Sequence, residues 1–316
     1  MVREPIIGKV AGTAFLEDWL QGKQDIVLVT GRASYATCGA KDFFEPFLRG
    51  KSVTHLITVG ENARAEDVAD KRAQLPERID AYIAVGGGTA IDTAKLVRGL
   101  DEPLPPFLAV PTTAGTGAET TRFAVYYDHG VKKSADDVRY LPTDQILISD
   151  FTATQSPYQR ACTEFDAYAQ AVESLWAVGA TDESRAYARK ALDLMATGEQ
   201  MLGSYWAGRA IDISRTTAAH ALSYYMTATY GIPHGHAVDM MFPYVCKANG
   251  HPEFIREVPE LQSLCDFAAA KGLDWDELVV HLLANVNPQR LAINPAPIGR
   301  DVFAVEDWGS GGMGEF

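Results

Sequence analysis

The sequence predicts an α/β domain built on a mostly parallel sheet, followed by an all-α domain. Two observations carry that expectation. Up to about residue 148, apolar runs of strand length alternate with helix-like stretches. From about Thr152 onward, long amphipathic segments take over and strand signals are few. Alternation of the first kind needs crossover connections, and so parallel strands with helices on the sheet faces. The change of character falls between Asp150 and Pro157, dividing the chain into residues 1–151 and 152–316.

Taken in order, the expected strands cover 25–30, 56–59, 81–85, 107–110 and 145–148, the first ended by Gly31 and the third running into three glycines. A helical pattern lies over 63–75. In the second half, helices are expected over 158–178, 182–195, 206–230, 261–270 and 275–283. An Asn/Pro-rich turn follows around Asn287 and Pro288, and the Gly-rich ending 309–316 is expected to be disordered.

Composition narrows the function. With 316 residues, 47% hydrophobic and 22% charged, the chain can bury one large core or two moderate ones. A net charge of −13 without any Lys/Arg block argues against nucleic acid or an anionic membrane as partner. No apolar signal core opens the sequence and no run reaches transmembrane length. Cys38, Cys162, Cys246 and Cys265 are scattered without a CxxC pair, which reads as reduced thiols in a cytoplasmic protein.

Three stretches carry chemistry. The strand ending at Val85 is followed by Gly86, Gly87 and Gly88, with a helix beginning near Thr89. Open backbone N–H groups at the positive end of a helix bind phosphate, and glycine allows a pyrophosphate to approach closely. The spacing is not that of the GxGxxG fingerprint, and a plain tight turn would also use these residues. Pro111 to Gly117 offers the hydroxyls of Thr112, Thr113 and Thr116 to the same ligand. Farther on, Asp166 and Gln170 lie four apart and so on one helix face. His220 sits in an apolar helical run, and His234 follows Pro233 at the expected start of another helix. One carboxylate, one amide and two imidazoles make a four-ligand set for a divalent metal, Fe²⁺ or Zn²⁺.

By the order of these blocks the sequence resembles the iron-containing (group III) alcohol dehydrogenase family. The resemblance implies a dinucleotide-binding domain over 1–151 and a helical metal- and substrate-binding domain over 152–316. It implies that Gly86 to Thr89 hold the pyrophosphate with Asp92 orienting the loop, and that Lys132 reaches the nicotinamide-side ribose. NAD-preferring relatives often carry an Asp after the first strand; here Gly31, Arg32 and Ser34 stand there. A cation and a hydroxyl in place of a carboxylate favour a 2′-phosphate, hence NADP(H) over NAD(H). Oligomeric state is not legible, although family members are often dimers.

Two departures are informative. Gln170 stands where most of the family has a His, and Tyr224 where many have a further His. Both substitutions, with the segments around Arg122, Lys132 and Arg215, look like the branch that reduces phosphonoacetaldehyde to 2-hydroxyethylphosphonate in phosphonate biosynthesis. The substrate's charge makes Arg122 and Arg215 candidate contacts, with Tyr224 and His236 also near the expected site. No proton donor is legible. Rival readings are another short aldehyde or keto acid as substrate, a cyclase resembling dehydroquinate synthase, and a non-catalytic scaffold.

Overall fold

The computed structural model describes residues 4–60, 62–129 and 131–304; the ending 309–316 lies outside the described residues. Its strands are β1 (Ile6–Ile7), β2 (Asp25–Gly31), β3 (Ser52–Thr58), β4 (Ala63–Arg64), β5 (Ala81–Gly86), β6 (Phe107–Pro111), β7 (Phe123–Asp128), β8 (Val131–Asp136) and β9 (Asp144–Leu147). Among the described residues, the main sheet runs in the order β1-β9-β6-β5-β2-β3. Every neighbouring pair in it is parallel.

The central strands read as unbroken apolar runs because both faces are covered. Val27, Val29, Tyr82, Ala84, Phe107 and Ala109 pack on one face against Ile91, Ala94 and Val97 of helix α5 (Gly88–Arg98). Ile26, Leu28, Ile83, Val85, Leu108 and Val110 pack on the other. There they meet Leu16 and Trp19 of α1 (Gly8–Trp19) and, beyond the short α2 (Ser34–Thr37), Phe44 of α3 (Ala40–Leu48). The helix expected over 63–75 is shorter, α4 (Ala65–Arg72).

Two features of this half were not foreseen. β1 adds a strand at the sheet edge, beside β9. β7 and β8 pair antiparallel, and with β4 they make a second small sheet. Their residues are mostly half-exposed and polar or aromatic, so no buried-strand run marks them.

The second half is helical: α6 (Pro157–Trp176), α7 (Asp182–Ala196), α8 (Gln200–Ser214), α9 (Ala218–Tyr230), α10 (His234–Ala248), α11 (Leu264–Lys271), α12 (Trp275–Ala284) and the short α13 (Pro288–Leu291). Ser156 accepts from the Gln159 N–H and Pro157 takes the first helical position, a strong start for α6. Phe165, Ala169 and Val172 of α6 share a core with Leu222 of α9, with Phe242 and Val245 of α10, and with Leu278 of α12. The helix expected over 206–230 is two helices. Arg215 sits at φ 69°, in the left-handed region, and ends α8 before α9 begins. No described helix is long and apolar enough to cross a membrane.

Candidate metal and dinucleotide site

Helix α6 lays a polar stripe inside an otherwise apolar core: Asp166, Gln170 and Glu173, all buried. The break at Arg215 redirects the chain so that α9 runs beside this stripe. His220 Nε2 lies 3.1 Å from Asp166 Oδ1. His234, first residue of α10, brings Nε2 to 4.0 Å from the same oxygen. One ligand atom from each of Asp166, His220 and His234 falls within 4.8 Å of the others. What lets α10 come so close is Gly235. A Cβ there would lie 1.9 Å from the Cys162 carbonyl oxygen of α6, so only glycine permits the contact.

The donor set suits a divalent metal. Gln170 Oε1 is buried with no hydrogen-bond partner, while its Nε2 donates to the Thr116 carbonyl at 3.3 Å and to Asp166 Oδ1 at 3.4 Å. A carboxylate, two imidazoles and one uncommitted amide oxygen are the chemistry such an ion takes. Burial, and then the Lys132 charge, press His234 down to about 3, so its imidazole is neutral and ready to ligate. Ser223 Oγ lies 3.3 Å from His234 Nδ1 and leaves Nε2 facing Asp166.

Glu173 was not among the residues singled out from sequence, and it organises the site. Its Oε2 accepts the Nδ1–H of His220 in a short contact. Oε1 accepts from the Thr217 hydroxyl at 2.6 Å and from the Ala219 N–H at 2.9 Å. The carboxylate therefore fixes the tautomer and orientation of the imidazole, the usual arrangement behind a metal-bound His. Burial pulls His220 down, but Glu173 and Asp166 outweigh it and hold the ring at about 9. The signal for Glu173 was present: it is seven residues after Asp166, on the same helical stripe.

The glycine side of the site is built from missing atoms. β5 and β6 are neighbours, so the loops leaving their C-terminal ends meet. A Cβ on Gly87 would come within 3.3 Å of Thr113 Oγ1, and one on Gly88 within 3.1 Å of Thr116 Oγ1. No side chain caps the start of α5. A Cβ on Gly86 would lie 3.4 Å from the Gly31 N, which places Arg32 and Ser34 at the same end of the sheet. Arg32 is exposed there. The Thr112 N–H donates to the Gly86 carbonyl at 3.0 Å.

Several sequence-based expectations need correction. Asp92 is fastened away from the glycines on one side, where its Oδ2 accepts the Val125 N–H of β7 at 3.0 Å; its Oδ1 faces Lys95 Nζ at 3.3 Å and has no hydrogen-bond partner among the described residues. His236 is turned from the cluster of Asp166, His220 and His234. Its Nε2–H donates to the Gln262 carbonyl and its Nδ1 takes the Tyr158 hydroxyl, both at 2.8 Å. Arg122 and Arg215 are spoken for. Both pair with Asp136, at 3.2 and 2.5 Å, and Arg122 also donates to the Asp212 carbonyl at 3.0 Å. Tyr224 and Lys132 do reach the site. The Tyr224 ring stacks on His234 at 5.8 Å, and Lys132 Nζ sits 3.7 Å from the centre of that ring.

Comparison with known proteins agrees with this geometry. Residues 7–148 match the family described as iron-containing alcohol dehydrogenase, and residues 160–277 match the C-terminal part of the Fe-containing alcohol dehydrogenase family. The chain is 31% identical over 200 residues to the phosphonoacetaldehyde reductase of Streptomyces viridochromogenes, covering 51% of this chain and 51% of that one. It is 30% identical over 206 residues to the NAD-dependent methanol dehydrogenase of Bacillus methanolicus, covering 55% and 54%. The chain thus spans about half the length of these curated relatives. An iron-containing alcohol dehydrogenase structure from Thermotoga maritima superposes with a TM-score of 0.76 at 25% identity, covering 96% of this chain and 95% of that one.

Proposed function

The chain belongs to the iron-containing alcohol dehydrogenase family, and on that premise we propose that it is a metal-dependent NAD(P)H-linked reductase of a small aldehyde. The observation that carries this reading is the convergence of Asp166, His220 and His234, with the Gln170 amide joining Asp166 to Thr116 of the loop facing the glycines. On this reading residues 1–151 hold the dinucleotide and residues 152–316 the metal and substrate. The metal, Fe²⁺ or Zn²⁺, supplies Lewis-acid polarisation of the aldehyde oxygen, and the nicotinamide supplies the hydride.

The chain's own residues do the rest. Glu173 holds His220 in the tautomer that presents Nε2. Gly87 and Gly88 keep the helix start open for phosphate, and Thr113 and Thr116 line the opposite wall. Tyr224, lying flat on His234, covers the imidazole on one side.

Two finer assignments follow. Arg32, exposed at the end of β2 with no carboxylate at that turn, supports NADP(H) over NAD(H). Gln170 and Tyr224, with the match to the Streptomyces protein, support phosphonoacetaldehyde as the substrate. The test is NADPH oxidation with phosphonoacetaldehyde against propionaldehyde, with Fe²⁺ or Zn²⁺ supplied. Strong preference for the phosphonate is the expected result. Equal turnover of both sinks the substrate assignment, and no turnover of any aldehyde with either dinucleotide sinks the reductase reading.

A further inference from the structure

An acidic aldehyde needs a cation near the metal whose charge is not already balanced. Arg122 and Arg215 fail that requirement, because Asp136 bridges the two guanidinium groups and Asp212 adds a second carboxylate to Arg122. Arg215 also lies over the Phe123 ring, 4.2 Å from its centre. Both fasten β8 and the loop before β7 to the end of α8.

A different cation stands at the site. α13 packs against α9, the helix that carries His220 and Tyr224. Arg290 lies on α13, half-buried, and no carboxylate among the described residues pairs with its guanidinium. Its charge is felt both at the Tyr224 hydroxyl and at Lys132. Lys132 approaches the same Tyr224 ring from β8, and that ring is stacked on His234. Lys132 therefore stands on the Tyr224 ring next to the cluster, and Arg290 lies on the helix packed against the one that carries that ring. The nearby carboxylates are occupied: Asp166 belongs to the ligand set and Glu173 is consumed by His220, Thr217 and Ala219. In a chain of net charge −13, a half-buried guanidinium left without a carboxylate among the described residues is a place for a ligand's charge.

We propose that Arg290, on the helix packed against α9, binds the anionic end of the substrate and makes the enzyme selective for aldehydes that carry a phosphonate, sulfonate or carboxylate. This rests on the reading of the site as an aldehyde reductase and goes beyond it by assigning the residue that recognises the non-reacting end. A guanidinium binds such groups through two parallel N–H···O bonds, which fixes their orientation as well as their charge. Lys132 contributes field and remains available to the dinucleotide.

The experiment measures binding and turnover separately. Calorimetric titration of the full chain, with Zn²⁺ and NADP⁺ present, uses ethylphosphonate, an anion without an aldehyde, and propionate as a second arm. Wild type and Arg122→Gln should bind ethylphosphonate alike, whereas Arg290→Gln should bind it about tenfold or more weakly. Arg290→Lys should fall between, which separates lost recognition from lost folding. In turnover, Arg290→Gln should raise KM for phosphonoacetaldehyde and leave KM for propionaldehyde unchanged. Equal affinity of wild type and Arg290→Gln for both anions, or no binding by wild type, overturns the proposal. Propionate binding without ethylphosphonate binding moves the substrate class to carboxylates and keeps the subsite. If the anions bind as expected but no aldehyde is reduced, the subsite stands and the reductase reading falls. If aldehydes are reduced with no change of preference in Arg290→Gln, the reverse holds.

Discussion

Helices α5 and α6 each bury carboxylates beside a cationic group, and they use them in opposite ways. On α5, Asp92 accepts the Val125 N–H, and Lys95 donates to the Thr121 hydroxyl at 3.2 Å and the Phe123 carbonyl at 2.5 Å. Those bonds run to β7 and the residues leading into it, and they tie the glycine-loop helix to the small second sheet. On α6, Glu173 spends itself on His220 and the start of α9, while Asp166 stays beside the Nε2 atoms of His220 on α9 and His234 on α10, and Gln170 Oε1 has no hydrogen-bond partner. Both clusters are buried, and each holds one oxygen without a hydrogen bond, Asp92 Oδ1 and Gln170 Oε1. What separates them is the partner: a lysine that fastens Asp92 to the second sheet, and a pair of imidazoles that gather round Asp166.

The largest test of this contrast is Lys95→Met. Lys95 is fully buried, and its loss leaves Asp92 and Glu119 without a cation in the interior. Urea unfolding should show a loss of about 3–5 kcal/mol, the cost of breaking a buried pair on one side. Zinc content at saturating metal should not change. A stable variant that had lost its metal would invert the assignment of the two clusters.

Glu173→Gln sharpens the other half. The His220 ring loses its charged partner but keeps a side chain of the same shape. Chelator competition should show metal affinity about 10- to 100-fold lower. Unaltered affinity would mean that Glu173 serves the fold alone.

A third test lies in the pH dependence of the α5 cluster. Burial raises the Glu119 carboxyl from 4.5 to about 7, against the opposing pull of its own backbone N–H and of Lys95. A carboxyl raised in the folded state contributes stability that is complete below about 4.5 and lost as the pH climbs through about 7. Glu119→Gln should therefore match wild type near pH 4 and gain about 3 kcal/mol at pH 8. Parallel curves across that range would contradict a carboxyl raised by burial.

Much of this was legible in the chain, and the reasons for the exceptions are physical. The central strands were readable because two covered faces demand continuous apolar residues. The hairpin of β7 and β8 was not, because a half-exposed ribbon carries no such demand. The long helix over 206–230 was a sound inference from its apolar pattern, but the pattern does not register a left-handed Arg215, which costs local strain for a residue with a side chain. Asp166, Gln170, His220 and His234 were found together because ligand chemistry restricts residue type. Arg122, Arg215 and Arg290 could not be ranked from sequence, since only their partners in space tell which guanidinium is already neutralised.

The 3.3 Å bond from Gln170 to the Thr116 carbonyl joins the loop that lines the glycine cradle to the helix that carries the metal ligands. That loop is seated with no slack. A Cβ on Gly117 would meet the Gly208 Cα of α8 at 2.5 Å, and one on Gly115 would meet Thr163 of α6 at 2.8 Å. On the proposed reading, two ligands would share this one stiff strut and so be thermodynamically linked. Whatever factor the dinucleotide then applies to the metal's affinity, the metal must return to the dinucleotide.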